Sequence, residues 1–176
     1  MHFWFEDIER EQWFKQDIAF DSLIRERFLQ TYLVAKQGDY DDWGERGRSA
    51  LALCIVLDQF PRNLFRVDPK SFATDAKVLG LARSVVERGF DVGSGMDDEN
   101  RHFFYLPFMH SEAVDDQRLC VDLVETRMEN EKVLKFAREH LLVIERFGRF
   151  PHRNRILGRS STAEELAYLA QDGSGF

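Results

Sequence analysis

The sequence predicts an all-α fold, and three observations carry that prediction. Apolar residues recur at helical spacing in nearly every patterned segment. No stretch alternates convincingly with the period of two that a half-buried strand needs. The punctuation between segments is that of helix ends: aspartate or threonine where a cap belongs, glycine where a helix stops.

In chain order, Asp17 or Asp21 caps a helix that carries Phe20, Leu23, Ile24, Phe28, Tyr32 and Ala35 on one face and stops at Gly38. Residues 47–60 are apolar nearly all round, which marks a central, buried helix, and Pro61 is expected to end it. Asp68-Pro69 places a cap before a proline at the first helical position. The helix it opens carries Phe72, Ala73, Ala76, Leu79 and Val86 and runs to Gly89. Residues 90–98, with two of the 11 glycines, read as a loop. Residues 99–106 look like a short helix interrupted near Pro107. Residues 112–127 and 130–147 form two longer helices, with Gly148 as the C-cap of the second. Thr162-Ala163-Glu164-Glu165 has capping-box spacing and opens a last helix ending near Gly173. The helix starts are unevenly spaced and show no 34-residue repeat, so residues 1–176 are expected to form one irregular multi-helix domain.

A chain of 176 residues suits one domain and buries about 70% of its unfolded surface, so disulfide staples are unnecessary. Cys54 and Cys120 both sit in apolar helical patterns and read as small buried hydrophobes. Neither has metal-ligand spacing around it, and no cofactor motif is present, so neither metal nor cofactor is expected. The N-terminus lacks a basic n-region and a cleavage site. The longest apolar run, residues 50–57, falls far short of the roughly 20 residues a spanning helix needs. A soluble, cytoplasmic protein is the expectation. The 16 Phe, 3 Trp and 4 Tyr are expected to fill wide helix–helix gaps, with Trp4 and Trp13 docking the chain start or lining a groove.

Basic residues number 24 and acidic residues 31, for a net charge of -7. That balance excludes bulk nucleic-acid binding and a polybasic membrane contact. The charge is uneven, however. Residues 146–159 hold five arginines (146, 149, 153, 155, 159), one histidine and no acid, so the rest of the chain carries -12.

Three polar clusters interrupt apolar segments. The first is Asp58-Gln59-Phe60-Pro61-Arg62-Asn63, at the end of the buried helix. A carboxylate there faces the negative end of the helix dipole, and if buried it needs a cation. Arg62 is the local candidate and the basic island the distant one. The second is Phe108-Met109-His110-Ser111-Glu112. Ser111 reads as the cap of the following helix with Glu112 in its first turn, whereas a functional role makes His110 and Glu112 an acid/base pair. The His-x-Glu spacing is not the i, i+4 of common zinc sites, and no third ligand is evident. The third is the basic island, with Arg146, Arg149, His152, Arg153 and Asn154 set around Gly148 and Pro151. Arginine suits bidentate contacts to carboxylate or phosphate. The alternative is internal: these arginines neutralise acids such as Asp58 and Glu112 and staple the C-terminal segment to the core.

These motifs carry a resemblance. Residues 57–63, 105–112 and 146–154, followed by Leu157-Gly158-Arg159 and residues 161–165, resemble the bacterial domain-of-unknown-function 924 family. The similarity runs from Phe3-Trp4-Phe5 through Trp13-Phe14 and Phe20-Asp21 to Phe176. Two positions depart from the family pattern: His2 stands where an acid usually precedes Phe-Trp-Phe, and Leu141 where arginine often follows the histidine. The resemblance implies helical packing related to the tetratricopeptide-like superfamily and implies no activity.

The leading functional expectation is a binding module. In it Asp58, Gln59, Arg62, Asn63, His110 and Glu112 meet Arg146, Arg149, His152, Arg153 and Asn154 in one polar pocket for a small anionic molecule or an acidic peptide segment. The second expectation is a hydrolase, metal-independent or metal-assisted, with His110 or His152 as base and arginines stabilising a developing anion. The third is a structural or protein-interaction domain in which the clusters form an internal ion-pair network.

Overall fold

A computed structural model describes residues 1–171. Seven α-helices follow one another: α1 (Ile18–Gln37), α2 (Gly47–Leu64), α3 (Asp75–Glu87), α4 (Asp98–Met109), α5 (Val114–Arg127), α6 (Glu131–Phe147) and α7 (Ala163–Leu169). Short 3₁₀ turns, among them Pro69–Phe72 and Pro151–Arg153, join them, and no strand occurs among the described residues. The protein is all-helical. Each helix from α1 to α5 packs on its successor, while α2 also packs on α4, and α4 on α6.

Local signals set most helix ends. Asp17, not Asp21, caps α1, its Oδ1 accepting from the amides of Ala19 and Phe20 at 2.8 and 3.1 Å. Gly38 ends the helix at φ +106°, a conformation that disfavours any side chain. Asp21 instead pairs with Arg66 and accepts from Asn63. Leu23, placed on the apolar face by its spacing, is exposed. Asn130 caps α6 and Gly148 closes it. Thr162 and Glu165 form the expected capping box on α7. The helix ends at Leu169, and Gly173 lies outside the described residues.

Helix α2 is buried on nearly every side, as expected, but Pro61 does not end it. A proline in a helix removes the donor to the carbonyl four residues earlier, here Leu57. Thr74 Oγ1 donates to that carbonyl at 2.6 Å, so the buried acceptor is satisfied and the helix continues to Leu64. Thr74 performs this role at the break between two elements. The single helix expected after Asp68 is a 3₁₀ turn, Pro69–Phe72, followed by α3, and Phe72 stands outside the helix. Helix α4 likewise runs through Pro107 to Met109.

One continuous core extends from Phe3 to Ala137, with a smaller cluster of Val143, Ile144 and Phe150 beyond it. Trp4 and Trp13 dock the start of the chain. The Trp4 ring lies 5.6 to 6.5 Å from those of Phe60, Phe103, Phe20 and Trp13, and Trp13 Nε1 donates to the Trp4 carbonyl at 2.9 Å. Both cysteines are buried and free. No helix among the described residues is long and apolar enough to cross a membrane.

Candidate functional site

The C-terminal half of α2 and the residue capping α4 bring Asp58 and His110 together. Asp58 is 1% exposed, and its Oδ1 accepts from His110 Nδ1 at 2.8 Å. Gln59 Nε2 donates to its other oxygen. Arg62, one helical turn on, lies 3.4 Å from the Asp58 carboxylate and donates to the Asp58 carbonyl at 2.6 Å. Burial alone would raise the Asp58 carboxyl, but Arg62 and His110 together hold it well below the usual carboxylate range. Arg62 also reaches both oxygens of Asp75, at 3.2 and 3.3 Å. The local cation named by the sequence is therefore the one Asp58 uses.

Asp75 links this cluster to the basic island. Arg153, in the turn Pro151–Arg153, lies 3.8 Å from Asp75 Oδ2. Its guanidinium stands over the rings of Phe72 and Phe150, at 4.8 and 4.6 Å from their centroids. Arg153 is 8% exposed, yet its guanidinium donates no hydrogen bond to any described residue, and its Nε is fully buried without an acceptor. Burial and the neighbouring Arg62 lower its pKa to about 10.

Histidines gather around this line. His140 and His152 each place a ring 5.6 Å from Phe150. Burial lowers His140 to about 3, with His110 and Arg153 acting in the same direction. Burial and Arg153 lower His152 to about 4. His102, on α4, is lowered to about 4 by burial and by His110. Burial and Arg62 lower His110 despite Asp58. All four are therefore neutral at pH 7.

The other residues expected in one pocket divide differently. Asn63 turns to Asp21. Glu112 precedes α5 rather than lying in its first turn, because the helix starts at Val114 with Ala113 in the cap position. Ser111 donates to Asp116 and accepts from the Ala113 amide. The Glu112 carboxylate takes the Phe150 amide at 2.8 Å and a bidentate pair with Arg159 at 2.7 and 2.9 Å. Arg149 pairs with the buried Glu165, and Asn154 joins Glu165, Ser161 and Arg159. Arg146 pairs with Glu164 on the exposed surface. Glu112, Arg149, Arg159, Asn154 and Glu165 thus form the clamp that holds the C-terminal segment, beside the Asp58 cluster. Asp75, His140, Phe72 and Phe150 also belong to that cluster, and nothing in the sequence placed them there.

Two surface grooves lie elsewhere. One of about 410 Å³ is lined by Glu112, Val114, Arg118, Ile144, Glu145 and Gly148. One of about 710 Å³ has Asp97, Arg101, Arg127 and Glu129 among its lining residues. No group of three or more His, Cys, Asp or Glu side chains among the described residues is disposed to hold a metal ion.

No curated protein matches the chain. The structure of a protein of unknown function from Agrobacterium tumefaciens, ATU0120, is similar, with 40% sequence identity and a TM-score of 0.88 over 94% of this chain and 92% of that one. A family model described as a bacterial protein of unknown function (DUF924) matches residues 1–173. With the resemblance of its motifs now joined by a match over nearly its whole length, the chain belongs to this bacterial family of proteins of unknown function.

Proposed function

We propose that the protein binds a small anion and that Arg153 is the group that holds it. One observation carries this reading: a guanidinium that is nine-tenths buried and donates no hydrogen bond to any described residue. Burying a charge costs several kcal/mol unless partners satisfy it. The neighbouring arginines show what internal satisfaction looks like in this chain. Arg159 holds both oxygens of Glu112, and Arg149 both oxygens of Glu165. Among the described residues Arg153 has only the Asp75 carboxylate, at 3.8 Å, and Arg62 already engages both oxygens of that carboxylate. An incoming carboxylate or phosphate supplies the missing acceptors in the bidentate geometry arginine favours. The carboxylate of an acidic peptide segment offers the same chemistry.

A thermal-shift screen of anionic metabolites tests the reading, because a ligand of the native state raises its apparent stability. The native protein is expected to respond and Arg153→Lys, which keeps the charge but loses the fork, is expected to lose the response. Equal responses in both proteins, or none in either, refute it.

A second reading makes the same cluster hydrolytic. The observation favouring it is the 2.8 Å contact between Asp58 and His110 Nδ1. An ionised carboxylate only accepts, so Nδ1 carries the proton and Nε2 the lone pair of a general base. A broad hydrolase screen with and without divalent metal tests this. Activity lost in His110→Ala supports it, and a flat profile unchanged by that substitution rejects it.

A further inference from the structure

The pair that Asp75 makes with Arg153 is held open. Its closest approach is 3.8 Å, against 2.6 to 2.9 Å for the Arg149–Glu165 and Arg159–Glu112 pairs of the same segment. The two residues stand on separately anchored walls. On one wall, Thr74 Oγ1 donates to the Leu57 carbonyl and fixes the start of α3, where Asp75 is the first residue. On the other, Glu112 takes the Phe150 amide, and the Leu157 amide donates to the Arg153 carbonyl at 2.9 Å. Phe72 and Phe150, one from each wall, flank the Arg153 guanidinium.

Both partners have capacity left. Arg153 donates no hydrogen bond to any described residue. A carboxylate offers about four lone-pair sites, and Arg62 occupies two of those on Asp75. The Asp75 side chain is 24% exposed and that of Arg153 9%, so a ligand meets the carboxylate as well as the guanidinium.

A plain anion is at a disadvantage here. An oxygen within hydrogen-bond reach of the Arg153 fork also comes close to the Asp75 carboxylate, and the two like charges repel. A ligand escapes that repulsion when it brings a cation to Asp75 along with its anion to Arg153. A free α-amino acid carries both groups on one carbon, a spacing that suits protein partners 3.8 Å apart. Its ammonium has three donors and no acceptor, which complements Asp75, and its carboxylate complements the arginine fork. Each end of a peptide carries one of the two groups and lacks the other, so the free amino acid is the better fit.

We propose that the anion bound at Arg153 is the carboxylate of a free amino acid whose ammonium group lies on Asp75. This rests on the anion-binding reading above, and it makes Asp75 the residue that selects an amino acid over a plain carboxylate or phosphate.

The probes are the protein amino acids and, for each that binds, the same acid with hydrogen in place of its ammonium group, beside acetate, succinate and inorganic phosphate. Amide NMR titration of the full chain at pH 7 and constant ionic strength measures the dissociation constants. At least one amino acid is expected to bind about ten- to a hundredfold more tightly than its deaminated counterpart, the range that a charge-assisted hydrogen bond supplies. In Asp75→Asn that ratio is expected to fall to near one, while phosphate and the plain carboxylates gain affinity as the repulsion is removed. The ratio measured on the unaltered protein decides the matter if that variant does not fold. Plain carboxylates or phosphate binding as tightly as any amino acid overturns the role of Asp75 and leaves the anion site standing. A ratio that survives in Asp75→Asn does the same. Binding of none of these probes overturns both.

Discussion

Lowering the pH from 7 to 5 without ligand is expected to destabilise the protein through its buried histidines. His102 and His152 are held at about 4 and His140 at about 3 in the folded chain, by burial above all. The unfolded value is about 6.5. Between the two, the unfolded state binds a proton that the folded state does not, so stability rises with pH. The contribution is complete above the unfolded value and is lost as pH falls toward the folded one. Each histidine therefore loses about 2 kcal/mol between pH 7 and pH 5. Three of them together reach about 6 kcal/mol, comparable with the whole stability of many domains. Glu112 and Glu165, held low by Arg159 and Arg149, contribute little in this window. Asp58 is likewise pulled down by Arg62 and His110. Urea unfolding at pH 7, 6 and 5 with an unchanged m-value measures the loss, and histidine resonances locate the groups. A change under about 1 kcal/mol, or histidines titrating near 6.5, refutes the reasoning.

Two substitutions extend the reasoning. Thr74→Val keeps shape but removes the donor to the Leu57 carbonyl, and should cost about 1–3 kcal/mol in urea unfolding, with faster amide exchange in the last turns of α2. Asp58→Asn leaves Arg62 buried with Asp75 alone and is expected to lose about 3 kcal/mol of stability, while His110 titrates lower still without the carboxylate.

Signals contained within a few residues were legible. Asp17 reaches amides two and three residues ahead, Thr162 and Glu165 complete each other across one turn, and Gly148 needs only its own φ of +68°. Arg62 was legible as the partner of Asp58 for the same reason, being one turn away. Contacts that depend on tertiary approach were not. Pro61 looked like a stop because the donor that rescues Leu57 comes from Thr74, seventeen residues away in sequence. Glu112 looked like a helix-start residue because its partners, Phe150 and Arg159, arrive from beyond α6. Only packing shows that Asp75 stands between Arg62 and Arg153 and that the His140 ring meets Phe150.

The basic island now separates into two kinds of arginine, and the difference is one of acceptors. Arg146, Arg149 and Arg159 each have a carboxylate of their own within 2.9 Å. Their charge is spent inside the fold, fastening the segment after α6 to α7 and to Glu112. Arg155 is exposed to water. Arg153 is buried and donates no hydrogen bond to any described residue. Asp75 is asked to serve two guanidinium groups, and the shorter distances go to Arg62. A planar fork with five N–H donors then has one distant carboxylate and two aromatic faces. A fold needing only an internal clamp gains nothing from that arrangement, because a hydrophobic residue over Phe72 and Phe150 would avoid the burial cost.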